Sequence, residues 1–135
     1  MRLLVDINVL LDVVLERDPW AQPAAMLLAA LETNQARGWI AAHTLPTIYY
    51  VVAKNRDRDT ATAAMHDLLR LFDVVPVEKQ DFYRALSLPL NDFEDAVQAA
   101  AAFRIDAEYL VTRNEPDFKG ASIATATPTT ILSLL

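Results

Sequence analysis

Residues 2–14, RLLVDINVLLDVV, change their period at Asp6. Before it, RLLV at 2–5 is a short continuous apolar run, the pattern of a strand buried on both faces. After it, Val9, Leu10, Val13 and Val14 recur at helical spacing. An apolar strand has little structural need of an acid at its end, so Asp6 is the first candidate for chemistry.

The alternation continues outward from there. Pro19 and Pro23 interrupt the first helix, and Ala24, Leu27, Leu28 and Leu31 set up a second, which Gly38 is expected to end. GWIAA at 38–42 reads as a strand, and a helix follows around Ile48, Tyr49, Val51 and Val52. KNRDRD at 54–59 reads as a solvated loop, with Asp59 or Thr60 capping a helix whose stripe is Ala61, Met65, Leu68, Leu69 and Phe72. DVVPV at 73–77 is a third strand and 79–88 a further helix. Then come a strong helix within LNDFEDAVQAAAAFR, a strand at Tyr109–Thr112, a loop at 113–120, a short strand at 122–126 and a last helix from Pro128 to Leu135. Strands alternating with helices predict an α/β domain with a mainly parallel sheet, one domain over residues 1–135. The alanines at 99–102 read as a tight helix-packing face, and most of Trp20, Trp39, Tyr49 and Tyr50 are expected in the core.

Composition narrows the function. The chain is 53% hydrophobic with only 2 glycines, which suits a helix-rich packed domain rather than a disordered one. It has no cysteine, so disulfides and thiolate metal sites are excluded and a cytoplasmic setting is expected. No apolar run is long enough for a membrane span, and no export leader is expected. A net charge of −6 argues against broad duplex binding through many phosphate contacts, yet it is compatible with acids gathered around divalent cations.

In parallel βα units the C-terminal ends of strands and the N-terminal ends of the following helices share one edge of the sheet. Asp6, Asp92, Asp95, Asn114 and Asp117 all fall at that edge. Asp92 and Asp95 project from one helical face with Gln98 on the next turn, while Phe93 and Val97 are expected to point to the core. Asn8, two residues after Asp6, is placed to bond neighbouring carboxylates. Taken singly, Asp92 and Asp95 match helix capping, and Asn114 and Asp117 beside Pro116 match turn residues. Their convergence is what points to a metal site. His66 is expected on the surface and His43 at a helix junction, both outside the site.

DINVLLD at 6–12, TLPTIYYVV at 44–52, DFEDAVQAAAA at 92–102 and TRNEPDF at 112–118 resemble the ordered motifs of the PIN-domain family, particularly the VapC-like toxins. Together they span nearly the whole chain, and the DFEDA and TRNxxDF elements in this order are specific. The resemblance implies a three-layer α/β/α sandwich around a central parallel sheet, RNA cleavage dependent on Mg²⁺ or Mn²⁺, a homodimer and, for toxins, a cognate antitoxin. Carried over by position, Asp6, Asp95 and Asp117 match the family's acidic metal-site positions, and Asn8, Thr112 and Asn114 match its polar supporting positions. Thr47 departs from the pattern, because many relatives carry glutamate there; Asp92 or Glu94, beside Asp95, is the candidate for the missing charge. On this reading the acids position the metal for hydrolysis of a phosphodiester, and Arg113 contacts a phosphate. The alternative is a PIN-like domain that lost catalysis with that glutamate and binds RNA or a partner protein. A phosphatase or phospho-acceptor domain fits less well, since Asp6 and Asn8 lack the second acid such phosphatases use.

Overall fold

The computed structural model describes residues 1–135. In chain order the elements are β1 (Arg2–Val5), α1 (Ile7–Val14), α2 (Ala21–Glu32), β2 (Arg37–Ala41), α3 (Thr44–Asn55), α4 (Arg58–Leu71), β3 (Asp73–Val75), α5 (Lys79–Ser87), α6 (Phe93–Arg104), β4 (Tyr109–Val111), β5 (Thr125–Ala126) and α7 (Pro128–Leu134). A turn of 3-10 helix covers Glu115–Phe118. The strands form one sheet in the order β3-β2-β1-β4-β5, and every neighbouring pair is parallel. The chain therefore winds outward from β1 in one direction through β2 and β3, then restarts on β1's other side with β4. That reversal opens a crevice at the carboxyl ends of β1 and β4.

Side chains alternate across the sheet and fill two cores. Leu3, Val5, Ile40 and Val111 pack with Leu10, Leu27, Ile48, Leu68 and Ile131 from the helices on one face. Leu4, Trp39, Ala41, Val75 and Leu110 face the other way, onto Ala99, Ala101 and Ala102 of α6. The result is the expected α/β/α sandwich, with α5 packed on α6. The alanine run lets α6 pack on the sheet through small, fully buried side chains.

Several local expectations are corrected. Gly38 does not end α2; the helix stops at Glu32, and Gly38 lies inside β2. Its lack of a side chain is a packing requirement, since a Cβ there would sit 2.8 Å from Leu31 Cδ1 and from Phe72 ring carbons. KNRDRD is not a loop: α3 runs through Asn55 and α4 begins at Arg58. Its cap is Asp57, which accepts a 2.6 Å hydrogen bond from Thr60 N–H, rather than Asp59 or Thr60. Phe93 is 48% exposed and stacks on Phe82 instead of entering the core. Trp39 is buried and Tyr49 half-buried, but Trp20 and Tyr50 are exposed. No helix is long and apolar enough to cross a membrane.

Candidate active site

Asp6 follows β1 directly, and its N–H still continues the ladder by donating to Val111 O of β4 at 2.9 Å. The side chain is therefore delivered into the crevice between the two strands. It is 1% exposed, and both oxygens have partners. Gln98 Nε2 donates to Oδ1 at 2.8 Å and Thr112 Oγ1 donates to Oδ2 at 2.9 Å. Gln98 Oε1 also accepts from Ile7 N–H at 3.0 Å, so one amide from α6 satisfies an otherwise orphaned donor of α1 and orients the acid. Burial pushes the Asp6 carboxyl above its ordinary range, against the lowering effect of these bonds.

A cleft of about 290 Å³ is lined by residues that include Asn91, Asp92, Asp95, Asp117 and Lys119 but not Asp6. Asp92 caps α6 by accepting from Asp95 N–H at 2.9 Å, which fixes the first turn that carries Asp95. Asp117 is set by the 3-10 turn, where its N–H donates to Asn114 O at 3.0 Å and the next residue, Phe118, is buried as an anchor. Asp95 is pushed up to about 7, first by burial and then by the charges of Asp92, Asp6, Asp117 and Glu94. These segments, distant in sequence, thus share one electrostatic site.

Glu94 joins it from the side. Thr47 Oγ1, at the position that departs from the family pattern, lies 3.4 Å from Glu94 Oε2, so a hydroxyl on α3 meets a carboxylate on α6. His43 Nε2 contacts Glu94 O at 3.2 Å, bringing this histidine closer to the site than sequence suggested. Burial lowers its proton affinity. His66 is exposed on α4, as expected.

The other expected residues are placed differently. The side-chain amides of Asn8 and Asn114 bond none of the acids; Asn8 O accepts from Arg17, and Asn114 N–H donates to Thr112 Oγ1. Arg113 donates to Asp12 from Nε at 2.7 Å and from Nη2 at 3.3 Å, and lies over the Trp20 ring at 3.9 Å. It lines a separate cleft from the one holding Asp95 and Asp117. The sequence places Gln98 only on the turn after Asp92 and Asp95 and assigns Asp12 no role; a polar residue inside an alanine run is the available signal for Gln98.

The acids of this protein fall into two kinds, those paired with arginine and those at the sheet edge, of which Asp6 is buried, Glu94 and Asp95 half-buried and Asp92 and Asp117 exposed. Asp12 is paired with Arg17 and Arg113, and Asp81 with Arg104. Asp6, Asp92, Glu94, Asp95 and Asp117 have no salt-bridge partner. Uncompensated carboxylates held together are costly unless a cation or proton joins them. An all-oxygen donor set with accumulated negative charge suits a hard divalent ion such as Mg²⁺ or Mn²⁺. In the present rotamers no three His, Asp or Glu side chains converge on one ion-binding point. Asp95 and Asp117 line the cleft, while Asp6 does not and has both oxygens occupied.

Fold and site together define a class, a parallel α/β domain with unpaired acids at the carboxyl edge of its sheet. Residues 2–115 match the family model described as the PIN domain, and the chain belongs to that family. No curated protein matches it. Among solved structures it is similar to DNA-bound VapBC from Salmonella typhimurium, with a TM-score of 0.74, 16% identity, and coverage of 95% of this chain and 98% of that one. A toxin–antitoxin complex from Klebsiella pneumoniae gives a TM-score of 0.68 at 24% identity over 93% of this chain and 96% of that one. VapC20 from Mycobacterium tuberculosis, a toxin that cleaves the sarcin–ricin loop, gives 0.66 at 16% identity over 80% and 86%. Likeness at these identities establishes the shared fold.

Proposed function

We propose that this protein is a cytoplasmic endoribonuclease that hydrolyses RNA phosphodiester bonds with Mg²⁺ or Mn²⁺, acting as the toxin of a toxin–antitoxin pair. The observation that carries the reading is the set of unpaired acids at the β1–β4 switch point, which burial and mutual repulsion leave in need of a cation. Asp95 and Asp117 would hold the ion from the cleft, with Asp6 as a further acid and Glu94 or Asp92 supplying the charge absent at Thr47. A bound divalent ion would activate water and stabilise charge on the phosphorane-like transition state. Gln98 and Thr112 orient Asp6, Asp92 holds the turn that presents Asp95, and Asn8 and Asn114 border the site as polar residues.

An antitoxin partner is supported by the similar solved structures, one of which is the toxin–antitoxin complex from Klebsiella pneumoniae. A groove of about 550 Å³ lined by Val13, Leu28, Leu31, Leu68 and Leu71 gives such a partner an apolar surface. Homodimerisation would use exposed apolar residues such as the stacked Phe82 and Phe93. The second reading, a noncatalytic RNA- or protein-binding module, draws on the fact that no three acids share one ion-binding point.

The test is cleavage of structured and single-stranded RNA with Mg²⁺, with Mn²⁺ and with chelator, comparing the parent with Asp6→Asn. Cleavage that needs metal and is lost in the variant supports the nuclease. Absent cleavage supports the binding module, and cleavage that persists in chelator overturns the metal-dependent mechanism.

A further inference from the structure

Beside the acidic centre lies a second polar site of opposite charge. Asp12, on α1, is 1% exposed and neutralises only one of two guanidiniums: Arg113 Nε at 2.7 Å and Arg17 Nε at 2.9 Å. The three groups together carry a net charge of about +1 in a chain of net charge −6. Arg113 uses Nε and Nη2 toward Asp12, which leaves Nη1 and one Nη2 hydrogen free. Buried Arg17 Nε has no aligned hydrogen-bond acceptor either. The Trp20 ring, held under Arg113 at 3.9 Å, remains 41% exposed. Trp20, Arg113, Asp12, Pro23 and the start of α7 at Thr127–Thr129 line a cleft of about 240 Å³.

Its position relative to the acids is fixed by adjacent residues. Thr112 donates to Asp6, and Arg113, the next residue, donates to Asp12. The residue that supports Asp6 and the residue that lines the basic cleft are therefore consecutive in the chain.

We propose that this cleft holds a nucleotide of single-stranded RNA next to the cleaved bond, its phosphate on the Arg113 guanidinium and its base against the Trp20 indole. Guanidinium recognises phosphate through its fork of donors, and an exposed aromatic face takes any unstacked base. A duplex keeps its bases stacked and cannot offer one to Trp20. The proposal rests on the nuclease reading for what the bound strand is for, while the cleft's affinity for RNA is separable from cleavage.

The experiment measures binding of a labelled single-stranded oligoribonucleotide, by anisotropy, to protein carrying Asp6→Asn so that the strand survives. Trp20→Ala should weaken binding roughly 5- to 100-fold, as expected for loss of a base stack, and Trp20→Phe should restore most of it. Thr129→Glu, an exposed change that sets a like charge at the cleft mouth, should weaken binding without touching the core. Tyr83→Ala, an exposed aromatic on α5, should leave it unaltered. In cleavage by otherwise unaltered protein, Trp20→Ala should act on KM more than on kcat. Equal RNA affinity in the parent, Trp20→Ala and Thr129→Glu proteins overturns the proposal, as does a parent that binds no single-stranded RNA. Trp20-dependent binding without metal-dependent cleavage keeps the cleft and removes the nuclease.

Discussion

Gln98 and Asp6, 92 residues apart in sequence, are joined at 2.8 Å in the interior, and the same Gln98 side chain accepts from Ile7 N–H. One amide thereby couples the helix that carries Asp95 to the strand end that carries Asp6. Gln98→Ala leaves a buried carboxylate oxygen and a backbone N–H without partners, and each orphan costs about 1–3 kcal/mol. We expect a lowered urea midpoint together with reduced cleavage. Gln98→Glu keeps the shape but sets a second carboxylate against Asp6, so it should fold better at acidic than at neutral pH.

The contact between Thr47 and Glu94 makes a swap possible. Glu94→Ala should reduce cleavage on the order of 10–100-fold, the range seen when groups supporting a metal site are removed. Adding Thr47→Glu to that variant returns a carboxylate to the same point from α3. Recovery of at least part of the rate is expected in single-turnover cleavage. An identical rate in Glu94→Ala and the parent would mean this acid plays no part.

Asp95 supplies a pH dependence of known sign. Its carboxyl stands at about 7 in the fold against 3.8 ordinarily, first because of burial and then because of the neighbouring acids. Metal-free folded protein therefore holds a proton that the unfolded chain releases at lower pH. The associated stability is complete below about 4 and is lost as pH rises through about 7. Asp6 is shifted in the same direction. Urea midpoints in chelator should fall across this window in the parent and much less in Asp95→Asn. Parallel profiles would contradict the assignment.

Gly38 offers a test of packing rather than chemistry. Gly38→Ala drives a methyl against Leu31 and Phe72 at 2.8 Å, so destabilisation of about 1–3 kcal/mol is expected. A thermal melt equal to the parent's would show that α2 and α4 give way freely.

The sequence made the strand and helix order legible because each buried strand is an apolar run and each helix has its own stripe. The topology places Asp6, Asp95 and Asp117 at one edge for the same reason. Helix ends were harder to read. With two glycines in the chain, the positive-φ residue just beyond the C-cap of α1, α2 and α6 is Glu16, Asn34 and Asp106 rather than glycine, so the usual glycine stop signal is missing. Arg17, Gln35 and Ala107 then donate back to Asp12, Ala30 and Ala102, closing each helix. The pairing of Asp12 with two arginines depends on side-chain reach across 101 residues in the case of Arg113, which no local pattern encodes.

Thermal melting with added Mn²⁺ tests the central claim, that these acids together bind a divalent ion. Binding to the folded state alone raises stability by about 2.7 kcal/mol when the free ion is 100 times its Kd. The parent should melt at higher temperature as Mn²⁺ rises, and Asp95→Asn and Asp117→Asn should lose that response while melting, metal-free at neutral pH, no lower than the parent. A parent indifferent to Mn²⁺, or variants that respond as the parent does, would contradict the account.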